Sequence, residues 1–572
     1  MSTFSDPLNP DKKVPPSINV SPGQSLSDVN LSLSDMVTAI DEIDINSSCP
    51  DFSIPAPVLK NCKNELAIPM LSMWTESLKC GIVPTFYKKQ VIAPVFKKGS
   101  RATAENYRPI SLTAHEVKVF ERVLRNRIVD FLEDNSLISC KQHGFRKGKS
   151  CLTQLLKHYD NILSNLLQNN ETDTIFLDFS KAFNKVDHQI LLQKVKNLGI
   201  CGNVYAWIED FLKNREQMVA VGGAYSFLAS VISGVPQGTV LGPILFLIYV
   251  NDIDCVRHSS IGCFADDTRI SKQISGTADS ALLQEDLDRV VIWANENNMK
   301  LHPDKFVFVN FNCRSNRFFL LGHLPFYNEN ICYLSSGKVL ETSSSVKDLG
   351  VTFTPELSWS THVCSIVKSA KKKAGWALSA FRDRSPCTML TLYKSLIRSL
   401  LEYNCPLWNG LSLQEVRDIE AVQRSFTSKI KCPSNIQNYW DRLQFLHLMS
   451  LQRRRERYMI IFMWKIAYKK VSNDLELIFY QNLRMGLCAK VPTIIAAQSK
   501  AQSLYDASFA VKGPQLWNIV LKDIKAIDKL ECFKVQLDSF LASFPDKPPI
   551  AGYAVQNYNS LLEWRSAGVR VT

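Results

Sequence analysis

The sequence predicts an α/β (α+β) chain that runs into a mostly helical, basic region. Three observations carry this. Strand-like and helix-like stretches alternate from Phe86 to about Phe353. Beyond Thr354 the periodicity turns mostly helical. Between Ser365 and Lys470 stand 20 Lys/Arg against 7 Asp/Glu, an excess equal to the net charge of +13, so the rest of the chain sums to zero. At ~100–200 residues per domain, 572 residues make three or four domains or one multi-lobed enzyme.

The elements follow in order. Residues 1–47 are rich in Ser, Pro and Asp, with 2 basic against 7 acidic residues and Phe4 as the lone aromatic, and read as a weakly ordered lead-in or linker. Gln90–Phe96 is β-branched and apolar and stops at Lys97-Lys98-Gly99, as a strand does. Thr113-Ala114-His115-Glu116 has capping-box spacing, and Val117, Phe120, Leu124, Ile128 and Phe131 follow at helical intervals. Thr174–Phe179 is a short apolar run carrying an acid near its end, and Ile261–Ile270 a strand pair turning around two acids. Ala281–Asn297 places Leu283, Leu287, Val290 and Ala294 on one helical face. Farther on, Ser412-Leu413-Gln414-Glu415 is a second capping box, ahead of an apolar face of Val416, Ile419, Val422, Phe426 and Ile430. Arg453–Arg457 opens a long helix to Lys470, and Pro548-Pro549 with Gly552 suggest an irregular tail.

Several function classes are excluded. Charged residues are 21% and aromatics 10%, too globular a mixture for wholesale disorder. No apolar run reaches the ~18–20 residues of a membrane helix, and the N-terminus has no apolar core of a secretory signal. The 16 cysteines include no C-x-x-C pair, which argues against a zinc module and for a reducing compartment.

Three acids stand out. Asp178 ends the run Ile175-Phe176-Leu177, and Asp266 and Asp267 sit side by side after Cys263-Phe264-Ala265. A carboxylate at the end of a buried strand needs a partner charge or a metal, and two such strands could bring Asp178 and Asp266 together around divalent cations suited to phosphoryl transfer. Alone, the same residues also fit a solvated hairpin turn and one strand-end acid. Ser233–Pro243 packs three glycines and two prolines into a shaped loop without the G-K-[ST] of a phosphate loop, and also fits an ordinary turn before a buried helix. Basic loops at Lys97–Arg101, Asn106–Ser111 and Gln142–Ser150 interleave cations with glycine and aromatics, which suits phosphate and base contacts.

Taken in order, NYRPISL (106–112), QHGFR (142–146), FLDFSKAFNKVDH (176–188), SGVPQGTVLGP (233–243), FADD (264–267) and VKDLGV (346–351) resemble the reverse transcriptases of non-LTR retrotransposons of the jockey-like or LINE kind. The likeness runs on through Leu401-Glu402-Tyr403, YWDRL (439–443) and GPQLWN (513–518). It implies a right-hand polymerase: fingers and palm over 48–353, a helical basic thumb over 354–470 and a C-terminal region over 471–572. It implies Asp178, Asp266 and Asp267 as catalytic acids, with Asp178, Asp266 and the Phe179 carbonyl holding two Mg²⁺ ions, Mn²⁺ being a possible substitute. Phe183 matches the bulky residue that excludes a ribose 2′-hydroxyl. Gln237 and Gly238 match the loop touching template and incoming nucleotide, and Lys98, Arg108 and Lys305 are the expected triphosphate or pyrophosphate contacts. Arg146, Pro236, Lys371, Lys372, Lys373, Arg453 and Arg454 are expected on the template–primer.

The partners so implied are an RNA template, a DNA primer or target DNA, and dNTPs, with no membrane. The expected location is intracellular, in a cytoplasmic ribonucleoprotein and/or the nucleus. Asn184 stands where the family commonly has aspartate, Thr239 where serine is frequent and His302 where asparagine is usual. An upstream endonuclease has no room in the sequence, so a truncated element product that polymerises without nicking its target is expected. The alternatives are a catalytically inactive, RNA-binding relic and a polymerase relative with another product.

Overall fold

The computed structural model describes residues 25–302, 305–312, 333–335, 338–340, 342–436, 438–492, 499–547 and 560–566. The expected tail at Pro548–Gly552 and the first 24 residues lie outside these. Among the described residues, a five-stranded sheet, a four-stranded sheet, three two-stranded ones and two hydrophobic cores organise the chain.

The first sheet has five strands: β1 (Lys89–Phe96), β2 (Tyr107–Leu112), β4 (Arg215–Val221), β5 (Ala224–Tyr225) and β6 (Ala229–Val231), in the order β2-β1-β4-β5 with β6 also on β4. β1 and β2 are antiparallel, with Val95 opposite Arg108, whereas β1 and β4 run parallel. The second sheet is antiparallel, ordered β7-β8-β3-β9 from β3 (Glu171–Leu177), β7 (Ser260–Phe264), β8 (Asp267–Ile274) and β9 (Val307–Phe311). Its central strand β3 is the apolar run read from the sequence. Asp178 follows its last residue, and the turn between β7 and β8 carries Asp266.

The first core gathers the helices Lys63–Cys80, His115–Asp134 and Gly202–Leu212 through Trp74 stacked on Phe120 (4.9 Å, 10°) and Phe120 edge-on to Trp207 (4.9 Å, 64°). The helix Gly242–Val250 is buried along its length except at Pro243. A helix surrounded by core needs no polar face, which is why this stretch shows no amphipathic period. The lead-in reading of 1–47 is corrected over its described part. Leu33–Asp41 is a helix with a capping box between Ser32 and Asp35, and it buries Met36, Ala39 and Ile40 against the Lys63–Cys80 and His115–Asp134 helices. Its few apolar residues fall on one face, so a polar average concealed a packed helix.

A second correction concerns Thr113. The helix begins at His115 after Ala114, and no side chain of its own chain start caps it. Instead the Ser53 hydroxyl accepts the His115 N–H (2.8 Å) and donates to Glu116 (2.8 Å), whose other oxygen accepts the Ile54 N–H. The Ser412–Glu415 box forms as read.

The helix Cys151–Leu167 and β9 present Leu155, Ile162, Val309 and Phe311 to the second core, which joins them to everything after Val346. The division expected at residue 470 does not separate two cores. Trp464 of the helix Leu451–Ala467 stacks on Phe533 (5.5 Å) and donates to the Ile527 carbonyl, while the Ser450 hydroxyl donates to Asp546 (2.6 Å). The hairpin Val346–Asp348/Val351–Phe353 links the halves: buried Asp348 pairs with Arg269 of β8 at 2.6 Å, and the Tyr403 hydroxyl donates to the Leu349 carbonyl at its tip.

Candidate active site

Antiparallel pairing of β3 with β8 brings together acids that lie far apart in sequence. Burial raises the pKa of Asp266 and the neighbouring Asp178 carboxylate raises it further, while Arg108 and Lys97 pull it down. Asp267 is pushed up to about 6 by desolvation and then by Asp266, Asp348 and Asp178. Crowded carboxylates of this kind call for cationic charge. Lys305 supplies some, its ammonium lying 2.9 Å from Asp178 Oδ2.

The donor set fits a hard divalent cation. The Asp178 carbonyl accepts the His302 N–H, whereas the Phe179 carbonyl accepts no hydrogen bond among the described residues. No cluster of three or more His, Cys, Asp or Glu side chains suited to a metal occurs among them either. Two carboxylates and one carbonyl are hard oxygen donors that leave positions open to water.

A loop braces the β7–β8 turn from outside. Ala265, just before Asp266, has a left-handed backbone (φ 57°). The buried Gln142 Oε1 accepts the N–H groups of both Ala265 (2.9 Å) and Gly144 (2.8 Å). A Cβ on Gly144 would lie 2.4 Å from the Ala265 nitrogen, so glycine is required there. Sequence reasoning noted QHGFR for its cations and missed Gln142.

The Ser233–Pro243 loop sits on the end of β2. Ser111 N–H donates to the Gln237 carbonyl (2.6 Å), and Gly238 (φ 128°) passes so close that a Cβ would lie 2.3 Å from the Ser111 oxygen. The Gln237 amide donates to Asn184 Oδ1 (3.2 Å), so the family departure at 184 is part of the loop's support. Beneath it, the fully buried Glu121 accepts the N–H groups of Val240 (2.6 Å) and Leu241 (2.9 Å). Its signal in the sequence is a charge set beside Phe120 on the apolar stripe of the helix. Phe183 stacks on Phe246 (4.1 Å, 15°).

The expected phosphate contacts divide. Val95 pairs with Arg108, and Lys97 follows Val95 by two residues on the same face, whereas Lys98 lies past the end of the strand in a bend. Lys97 joins Arg108 in acting on Asp266.

Two expected template–primer residues, Pro236 and Arg453, are buried, and two more, Arg146 and Arg454, are half-buried and paired with acids. Arg146 is held by Glu133 (2.8 Å) and by the Ser139 carbonyl (2.7 Å). Pro236 is buried, its carbonyl accepting the Thr239 hydroxyl. Arg453 is 0% exposed, and Arg454 makes a two-pronged pair with Glu402. Burial keeps Pro236 and Arg453 away from a duplex. Lys371, Lys372 and Lys373 are exposed on the helix Ser360–Ala380.

The family model of the reverse transcriptase (RNA-dependent DNA polymerase) matches residues 95–353, the span that contains this site. Residues 95–353 are a reverse transcriptase domain. The domain and its flanks are 25% identical over 413 residues to the probable RNA-directed DNA polymerase from transposon BS of Drosophila melanogaster, covering 70% of this chain and 44% of that one. The corresponding protein of transposon X-element from the same organism is 28% identical over 350 residues, covering 59% and 37%. The RNA-directed DNA polymerase from its mobile element jockey is 27% identical over 366 residues, covering 62% and 38%. The chain thus spans less than half the length of these curated relatives. A solved structure of apo telomerase from Candida tropicalis aligns at a TM-score of 0.32 and 11% identity over 50% of this chain and 60% of that one, too slight a likeness to bear on the fold. No described helix is long and apolar enough to cross a membrane.

Proposed function

We propose that the chain is an RNA-directed DNA polymerase of a non-LTR retrotransposon, extending a primer 3′-hydroxyl with dNTPs on an RNA template inside the cell. The observation that carries this is the meeting of Asp178 and Asp266, within the reverse transcriptase domain, beside Lys97 and Arg108.

Asp178, Asp266 and the Phe179 carbonyl would hold Mg²⁺, or Mn²⁺ in its place. Bound there, such ions would supply Lewis-acid polarisation of the attacking hydroxyl and charge stabilisation for the pyrophosphate leaving group. The chain's own residues do the positioning. Arg108 and Lys97 draw in the triphosphate, and Lys305 can exchange Asp178 for pyrophosphate oxygen. Phe183 bounds the sugar, and Gln237 and Gly238 give the templating base a rigid floor. Base pairing supplies the sequence information, so the protein need grip only shape and backbone. Lys371, Lys372 and Lys373 serve as backbone contacts.

The test is primer extension on a primed RNA template with dNTPs and Mg²⁺. Full-length cDNA is expected from the parent and none from Asp266→Ala. No product from the parent, with salt-sensitive RNA binding retained, would replace this reading with that of a binding relic.

A further inference from the structure

Phe145 combines features that packing alone does not explain. It is a bulky aromatic with a left-handed backbone (φ 54°), a conformation such a residue rarely adopts without a compensating constraint. Burial supplies little of it, because the residue is 54% exposed. Yet the loop that presents it is fixed tightly, by Gln142 clamping Gly144 to Ala265 and by the absence of room for any side chain at 144. The fixed loop sets the Phe145 ring perpendicular to Phe183, with centroids 6.3 Å apart. Phe183 is thereby held by two rings, stacked on Phe246 and met edgewise by Phe145.

We propose that Phe145 is a positioning residue for sugar selection: it holds the Phe183 ring against the 2′ side of the incoming nucleotide and ties that ring to the turn bearing Asp266. This rests on the polymerase reading above. Phe183 can exclude a hydroxyl only while its ring cannot swing. Phe246 restrains one face, and removing Phe145 frees the ring to give way. The same loop carries the aromatic brace and clamps the residue before Asp266, so sugar and reacting phosphate are gauged from one rigid piece.

The experiment compares single-nucleotide incorporation of a dNTP and the matching rNTP on a primed RNA template. The readout is the ratio of the two kcat/KM values, from which partial misfolding cancels. Phe145→Ala should raise relative rNTP use about tenfold, the scale of one apolar contact in a pocket. Phe145→Tyr, which keeps the ring edge, should restore the parental ratio. The double variant Phe145→Ala, Phe183→Val should go no further than Phe183→Val alone. An unchanged ratio in Phe145→Ala, or additive shifts in the double variant, would overturn the proposal. If the parent makes no product, the same ratio is read from the stability of dead-end ternary complexes on a dideoxy-terminated primer. Discrimination that survives Phe145→Ala there refutes the role of Phe145, and absence of any ternary complex refutes it together with the polymerase reading.

Discussion

Lys97 and Lys98 are chemically identical neighbours with opposite fates. The Lys97 N–H donates to the Asn106 carbonyl and continues the β1–β2 ladder by one residue, whereas Lys98 lies beyond it in a bend. Lys97 falls on the face of Arg108 and acts on Asp266. Lys97→Ala should therefore raise the KM for dNTP severalfold, and Lys98→Ala should leave it within about twofold. Steady-state incorporation kinetics decide between them. The three acids were legible because a carboxylate beside a buried strand is conspicuous. Gln142 was not, because a neutral amide announces nothing until its partners are known.

Among elements, the two capping-box spacings show how far local sequence reaches. Ser412 and Glu415 close on each other within one turn. At Thr113 a distant segment intervenes: the Ser53 hydroxyl and the Ile54 N–H take the Glu116 carboxylate that would have closed the box. Three helices meet at Glu420, which accepts from the Tyr439 hydroxyl (2.6 Å) and the Leu451 N–H (2.8 Å). Burial, opposed by these bonds, raises its carboxyl from 4.5 to about 7. Between those values the folded state binds a proton that the unfolded state has released. Stability contributed by this group is therefore present below pH 4.5 and is lost as pH rises to about 7. Glu420→Gln should flatten that slope in thermal unfolding followed across the same pH range.

At the scale of the whole molecule, the basic excess of Ser365–Lys470 does not form one cationic face. Arg453 and Arg455 are buried, Arg454 pairs with Glu402 and Arg457 with Asp538. The lysines of the Ser360–Ala380 helix stay exposed, and among its residues there is no acid to neutralise them. Replacing Lys371, Lys372 and Lys373 by alanine should weaken template–primer binding. It should also reduce the salt slope of log K by up to about three, roughly 0.9 for each phosphate that is no longer neutralised. Arg454→Ala should lower the melting temperature and leave that slope unchanged. Binding isotherms at several salt concentrations separate the two effects.

The sequence by itself determined the alternation of elements, the three acids, the shaped glycine loop and the helical second half. Each of these rests on local periodicity or on a residue type whose cost of burial is large. Only the tertiary structure decided which cations are free, which loop steadies the Asp266 turn, and where one core ends and the next begins. An arginine is equally charged in a buried pair and on an open surface. What distinguishes the two is desolvation and the distance to a partner elsewhere in the chain, and neither can be read from sequence neighbours.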